Sequence, residues 1–441
     1  MIKTRYSFDK YLFGFVLILL HTFFFVLPNH SVLNTVFEFF CVFISAFFFA
    51  PLKNKKMHIS PIFIWHLFWL LPVTIARVYI PVYKEMATTW SNFLVIVVAL
   101  NNIVFYCTYF FYSILKKNNN KQMSITNKNS FYKTVLLLFI ASDVAFVLNV
   151  LLKGYIPLLT GNADAVRDAF VSSPFFSIMN VTRFTYILLI PSLKNQNKKK
   201  VIILVTISVI NFVFLVLTGY RGYIFQIAMF LLASLVCSRK LIFESLFAIL
   251  IAGFVLFSIV AVLREDGNVL DLGSVLTAGF RYAYLYIYPS FTNMDLVISN
   301  ITPHNSFLYT TEMFWGIFSN ANKVIGSNEL YSNFGTFNVG TYLLQPYGDF
   351  GLFGTLVWTF IISLFCAYSY KKVESGFSIV GLICLGISFE VIFFMHNGFI
   401  LRSSSELIWI IAGLLLDKCL CRARKAPVKK ENMVSYESLY Y

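Results

Sequence analysis

The sequence predicts an all-α polytopic membrane protein with about twelve transmembrane helices and one large loop between spans nine and ten. Three observations predict it. The first is composition: 58% of the 441 residues are hydrophobic and 12% charged, with a mean hydropathy of +0.74. Soluble domains carry about 45–50% apolar and about 25% charged residues. The second is that the apolar residues come in repeated stretches of about 17–25, the length a helix needs to cross a bilayer. The third is that lysine-rich and lysine-poor loops alternate between those stretches, as the positive-inside rule requires.

The spans run near 11–27, 32–51, 61–77, 92–115, 133–152, 175–193, 201–218, 223–237, 241–263, 350–370, 376–396 and 399–417. The first is followed by many more, so it reads as a span and not as a cleaved signal segment. The loops "KNKK" (53–56), "KKNNNKQMSITNKNSFYK" (116–133), "KNQNKKK" (194–200), "SRK" (238–240) and "YKK" (370–372) then share one side with both termini. That side is cytoplasmic. Residues 1–441 form a single integral membrane domain, with 264–348 as the large loop on the far side and 418–441 as a cytoplasmic tail.

The net charge is +15. The lysine loops account for it, so no nucleic-acid partner is expected. None of the seven cysteines falls in a far-side loop, which excludes a disulfide framework there. The Cys419–Cys421 pair has no further ligands beside it and reads as incidental.

Lysine and arginine separate. Every lysine except Lys84, Lys153 and Lys323 is cytoplasmic. Arg77, Arg167, Arg183, Arg221, Arg264, Arg281 and Arg402 lie instead in far-side loops or the outer halves of spans. Topology alone does not favour arginine there. Guanidinium is a rigid fork that matches phosphate and carboxylate bidentately, and lysine is a point charge. The competing reading is that these arginines reach headgroups or pair with Glu38, Asp143 and Glu390 inside the bundle. For Arg183, deep in span six, a structural carboxylate partner is the expectation.

"TGYRGY" (218–223) interrupts a run that is otherwise free of charge. It reads as the outer turn of a tight helical hairpin, with glycines that let the backbone reverse and Arg221 at the rim. The 264–348 loop holds sixteen Phe, Tyr or Trp residues. A disordered linker would be aromatic-poor. Phe280, Tyr284 and Tyr288 recur at helical spacing, which predicts a helix along the membrane interface; the alternation of Tyr282, Tyr284, Tyr286 and Tyr288 leaves a strand open. Interface aromatics explain the rings one by one. Together with Arg264 and Arg281 they also suit a ligand carrying sugar rings and phosphate.

Four stretches carry a family likeness. "KGYIPLLTGNADAVRDAF" (153–170), "TGYRG" (218–222), the aromatic loop with Arg264 and Arg281, and "YGDFGLFGTL" (347–356) resemble the O-antigen and capsule oligosaccharide repeat-unit polymerases of the Wzy type. The resemblance implies a bacterial inner-membrane glycosyltransferase of lipopolysaccharide or capsule biosynthesis. It would move a growing glycan from undecaprenyl pyrophosphate to another lipid-linked repeat unit, on the periplasmic face. The bilayer, a chain-length regulator and a flippase are the implied partners. No cofactor is implied, and the chemistry is expected to be metal-independent.

Arg167, Arg221, Arg264 and Arg281 are then the substrate-binding candidates, by electrostatic stabilisation of the diphosphate. Asp349 and His304 are the catalytic candidates, as base or orienting group. Asp349 has a second reading as a helix cap, and His304 as a structural histidine. Gly351 and Gly354 read as close-packing positions. Two rival activities share the substrate: a lipid-linked oligosaccharide flippase, against which the long single loop argues, and an O-antigen ligase. A secondary transporter would show broken helices in paired positions, and the sequence displays none.

Overall fold

The computed structural model describes residues 2–27, 32–49, 52–53, 56–57, 59–77, 90–115, 123–125, 127–160, 163–238, 243–265, 272–305, 307, 309–310, 340–396, 398 and 404–423. They are almost wholly helical. Among the described residues, five helices are long and apolar enough to cross a membrane: 92–115, 128–153, 174–193, 198–217 and 344–375. Shorter apolar helices accompany them at 12–26, 33–46, 61–77, 222–237, 251–260 and 379–393. The outward faces of 128–153 and 198–217 carry exposed Leu137, Leu151, Ile202 and Val209. Water would penalise that surface, and hydrocarbon would not.

In chain order the helices are α1 (Ile2–Val26), α2 (Val32–Phe49), α3 (Pro61–Trp65), α4 (Leu71–Arg77), α5 (Asn92–Leu115), α6 (Lys128–Lys153), α7 (Ala163–Val171) and α8 (Pro174–Thr182). They continue as α9 (Tyr186–Leu193), α10 (Lys198–Leu217), α11 (Arg221–Cys237), α12 (Phe243–Glu265), α13 (Leu272–Asn300), α14 (Leu344–Ser375), α15 (Ile379–Phe393) and α16 (Ser404–Leu420). The all-α expectation needs one small correction. Two short antiparallel pairs occur, Leu52–Lys53 with Lys56–Met57 and Met123–Ile125 with Cys421–Ala423. The second ties the loop after α5 to the segment after α16.

Where spans depart from straight helices, local chemistry gives the reason. Residues 61–77 pass through a π-helical turn, His66–Leu70, just before Pro72. Pro72 has no N–H for the Phe68 carbonyl and its ring crowds that carbonyl, so the ladder widens. The span at 174–193 is interrupted by a 3-10 turn, Arg183–Thr185. In α14 the backbone leaves helical geometry at Phe350 and Gly351, where Gly351 takes φ +59°. Gly351 makes a break in the helix, in a conformation open to glycine, and it is closely approached as well, since a Cβ there would stand 3.2 Å from Pro303 Cγ. At Gly354 the close approach is within α14 itself, not between helices: across the break, a Cβ there would stand 2.1 Å from the Pro346 carbonyl oxygen.

A polar seam joins α5 to α14, which pack along each other. Asn101 Nδ2 donates to Thr355 (3.0 Å), Thr359 donates to Asn101 Oδ1 (2.5 Å), and Ser363 donates to the Phe105 carbonyl (2.6 Å). Buried hydroxyls and amides satisfied in this way fix the register between two otherwise greasy helices. Beside the seam lies an aromatic core: Trp65 on Phe105, Trp69 on Tyr342 and Trp90 on Phe291.

Residue Phe291 belongs to α13, the helix within the 264–348 segment. The strand alternative is therefore set aside. Tyr284 and Tyr288 stack one turn apart at 5.4 Å, as a helix places them. The helix is fixed along its length. Gly279 lies so close to Ser258 of α12 that a Cβ would meet its Oγ at 2.0 Å, Phe280 meets Phe254, and Asp295 accepts bonds from the Ser91 amide (2.9 Å) and hydroxyl.

Candidate functional site

The "TGYRGY" stretch forms the end of α10 and the start of α11. Thr218 donates to the Leu215 carbonyl at 2.6 Å and Gly219 takes φ +77°, which reverses the chain. Arg221 is the first residue of α11, and its N-cap, Tyr220, makes no side-chain cap bond. The first turn of α11 contains no acid. A helix start of this kind presents N–H groups and a positive dipole end, and favours an anion. Gly222 lies inside the helix, where an added Cβ would meet Phe394 only at an ordinary 3.9 Å. The side chains of Arg221 and Arg264 are outside the described residues.

The "KGYIPLLTGNADAVRDAF" stretch brings a second arginine to this place. Gly154, at φ +77°, ends α6 and donates to the Val150 carbonyl at 2.7 Å. The chain then turns back through α7, held by Tyr155 on the Val166 carbonyl (3.0 Å) and Asn149 on the Phe170 carbonyl (3.1 Å). The half-buried Arg167 thereby lays its guanidinium over the Tyr220 ring, 5.2 Å from the centroid. Behind it the rings continue inward. Tyr220 stacks on Tyr223 at 5.1 Å, and Phe176 flanks both.

Arg183 sits beyond Tyr223, buried. Its Nη2 stands 3.7 Å from a carboxylate oxygen of Glu390 and 3.7 Å from one of Glu406. Its Nη1 donates to the Asn180 carbonyl at 2.9 Å, and its guanidinium lies 5.4 Å from the Tyr223 centroid. The carboxylate partner expected for Arg183 is present in Glu390. Asp143 has a different partner, the Asn211 amide at 2.7 Å. Arg77 lies over Phe25 and Trp90 and donates to the Phe25 carbonyl at 3.2 Å.

The six nominated residues thus fall into three groups. Arg167 lies over Tyr220, the residue before Arg221, at one hairpin. Arg264 is the last residue but one of α12, which adjoins α11 through Phe225 and Phe257, and the exposed Arg281 sits on α13, packed along α12. Asp349 and His304 share a third place, where the His304 amide donates to the Gly348 carbonyl at 2.9 Å.

Asp349 is fully buried just before the break in α14. It accepts from the Tyr309 amide (2.8 Å), the Thr310 amide (2.9 Å) and the Thr310 hydroxyl (2.5 Å). Its carboxylate therefore holds the 309–310 turn and does not cap its own helix. His304 is exposed, with its ring 5.6 Å from Tyr309. Among the described residues no three His, Cys, Asp or Glu side chains gather in a metal-binding group.

Sequence reasoning missed Tyr220, Tyr223, Asn180 and Glu406. The two tyrosines were readable as rings three residues apart on either side of Arg221. Glu406, in the first turn of α16, carried only the signal of an acid beside an apolar run. The fold and site define a helical protein with helices long and apolar enough to cross a membrane and with arginines set over aromatic rings. No protein-family model, curated protein or solved structure matches the chain.

Proposed function

We propose that the chain is a repeat-unit polymerase of the Wzy type, in the bacterial inner membrane, with twelve spans, cytoplasmic termini and residues 264–348 in the periplasm. The observation that carries this reading is the hairpin. Arg167 stacks on Tyr220, the N-cap of a helix whose first residue is Arg221 and whose N-terminus carries no acidic or side-chain cap. Two guanidinium-bearing residues and an open helix N-terminus at one place make a cradle for a diphosphate.

In the reaction, a sugar hydroxyl of one lipid-linked repeat unit attacks the anomeric carbon of the glycan on a second carrier. The bond from that carbon to the diphosphate oxygen breaks, the new glycosidic bond forms, and undecaprenyl pyrophosphate leaves with the electron pair. The hydroxyl proton passes to a base. The cradle lowers the barrier by holding charge that grows on the departing oxygen. Arg264 and Arg281, on the separate α12–α13 pair, are assigned to the donor glycan. Asp349 acts by orienting the loop that bears His304, and His304 is the candidate base.

Surface polysaccharide from cells lacking the gene, run on a gel, tests the reading. Loss of long chains with a single repeat unit retained supports a polymerase; loss of all attached glycan supports ligase or flippase. In complemented cells, Arg221→Ala and Arg167→Ala are expected to abolish or shorten long chains. Full-length chains from both variants would remove the hairpin from the site.

A further inference from the structure

Arg183 lies in the wall of the bundle, and two carboxylates already answer its charge. It also closes the inner end of a stack. From inside outward the order is the Arg183 guanidinium, Tyr223 at 5.4 Å, Tyr220 at 5.1 Å from Tyr223, and the Arg167 guanidinium at 5.2 Å from Tyr220. Cation, ring, ring, cation: the guanidinium at each end lies over the electron-rich face of a ring, and the two rings between them are stacked.

The inner half of this stack is rigidly held. Arg183 and Tyr223 are buried, and Asn180 anchors both. Its carbonyl accepts from Arg183 Nη1 at 2.9 Å, and its Oδ1 accepts from the Tyr223 hydroxyl at 3.2 Å. Glu390 and Glu406, from α15 and α16, keep the guanidinium from turning toward other partners. The outer half is half-buried, and Arg221 falls in sequence between the two tyrosines.

We propose that Arg183 and Tyr223 are positioning residues. Through Tyr220 they set where Arg167 and the start of α11 stand, and with that the affinity of the hairpin for a diphosphate headgroup. The inference rests on the anion-cradle reading of the hairpin given above. The stack needs a flat cation at its inner end. Lysine in place of Arg183 would keep the charge opposite the two acids and lose the planar face that lies on Tyr223.

Full-length protein in lipid nanodiscs, titrated with inorganic pyrophosphate by calorimetry, tests it, with affinity expressed per folded molecule. Wild type is expected to bind and Arg221→Ala to bind more weakly. Arg183→Lys and Tyr223→Leu are expected to lose about tenfold in affinity, and Tyr223→Phe, which keeps the ring, less than about threefold. A merely structural role would lower the folded fraction and leave the affinity of the remainder at the wild-type value; that result overturns the proposal. Should Tyr223→Leu not fold, Tyr220→Leu at the half-buried outer ring is expected to show the same tenfold loss, and wild-type affinity there overturns it equally. Absence of binding by wild type removes the cradle and the positioning role together. Wild-type binding with unchanged variants removes the positioning role alone.

Discussion

Two aspartates at opposite ends of the helix bundle make the same set of bonds. Asp417, near the end of α16, accepts from the Ser378 hydroxyl (2.6 Å), the Ile379 amide (2.6 Å) and the Val380 amide (3.3 Å). Asp349, near the start of α14, accepts from the Thr310 hydroxyl, the Thr310 amide and the Tyr309 amide. Helices α14 and α15 pack side by side across a short turn, so they run antiparallel and their starts lie at opposite ends. In both cases one carboxylate gathers two backbone N–H groups and a hydroxyl from a segment about forty residues away in sequence.

The difference is in what the gathered segment does next. At Asp417 it becomes a helix: Ser378 also caps α15 by accepting from the Gly381 amide at 3.1 Å. The clasp there closes the N-terminus of a fully buried helix. At Asp349 the gathered turn belongs to the stretch that carries His304, and that stretch is joined again to α14 at the Gly348 carbonyl. The same bonds therefore close a helix in one region and hang a loop over a helix break in the other. A carboxylate with its lone pairs so occupied is poorly placed to take a proton from a substrate. That is why Asp349 orients and does not react in the function proposed above.

Replacing the carboxylates by amides gives the largest effects. In Asp349→Asn one oxygen becomes an NH2 that must face a backbone N–H in a fully buried place. The expected loss is about 3 kcal/mol of stability, from unmade charge-assisted bonds. Asp417→Asn should cost less, about 2 kcal/mol, because Asp417 is 8% exposed and one of its three bonds is long. Reversible unfolding in mixed detergent micelles measures both. The comparison breaks if Asp349→Asn keeps wild-type stability and loses all polymer formation, since Asp349 would then be a reacting group.

The fold was legible where charge and apolarity decide it. The helices at 61–77, 92–115 and 175–193 stand where apolar stretches placed them, and an arginine in the third had to find an acid, which Glu390 supplies. The breaks within those helices were less legible. The π-turn before Pro72 and the 3-10 turn at Arg183–Thr185 depend on what neighbouring helices present, and a single-chain pattern does not carry that. For the candidate site, the sequence marked Arg167 and Arg221 separately. It did not show that Arg167 stacks on Tyr220, the residue before Arg221, because that contact depends on α7 folding back over the hairpin. Asp349 was visible as an acid between two glycines, Gly348 and Gly351. Its partners at 309–310 lie forty residues upstream, with no periodicity to announce them.

Smaller substitutions sharpen the comparison by removing one donor at a time. Ser378→Ala deletes the bond to Asp417 and the cap to Gly381 together, so about 1–2 kcal/mol is expected, in the range of other lost N-caps. Replacing Thr310 with valine is the gentlest test. Valine keeps the shape and removes only the hydroxyl, and Asp349 Oδ2 retains the Thr310 amide. About 1 kcal/mol is expected, because one of three bonds is lost and the carboxylate stays partnered.

The more telling readout for Thr310→Val is the loop, not the midpoint of unfolding. If the clasp fixes the segment bearing His304, loosening it should quicken hydrogen exchange at the Tyr309 and Thr310 amides and leave exchange along α15 unchanged. Ser378→Ala should do the reverse, speeding exchange at Gly381 and sparing 309–310. Acceleration of both regions in both variants would mean that the two clasps report one global unfolding event, and the local role assigned to Asp349 would have no support.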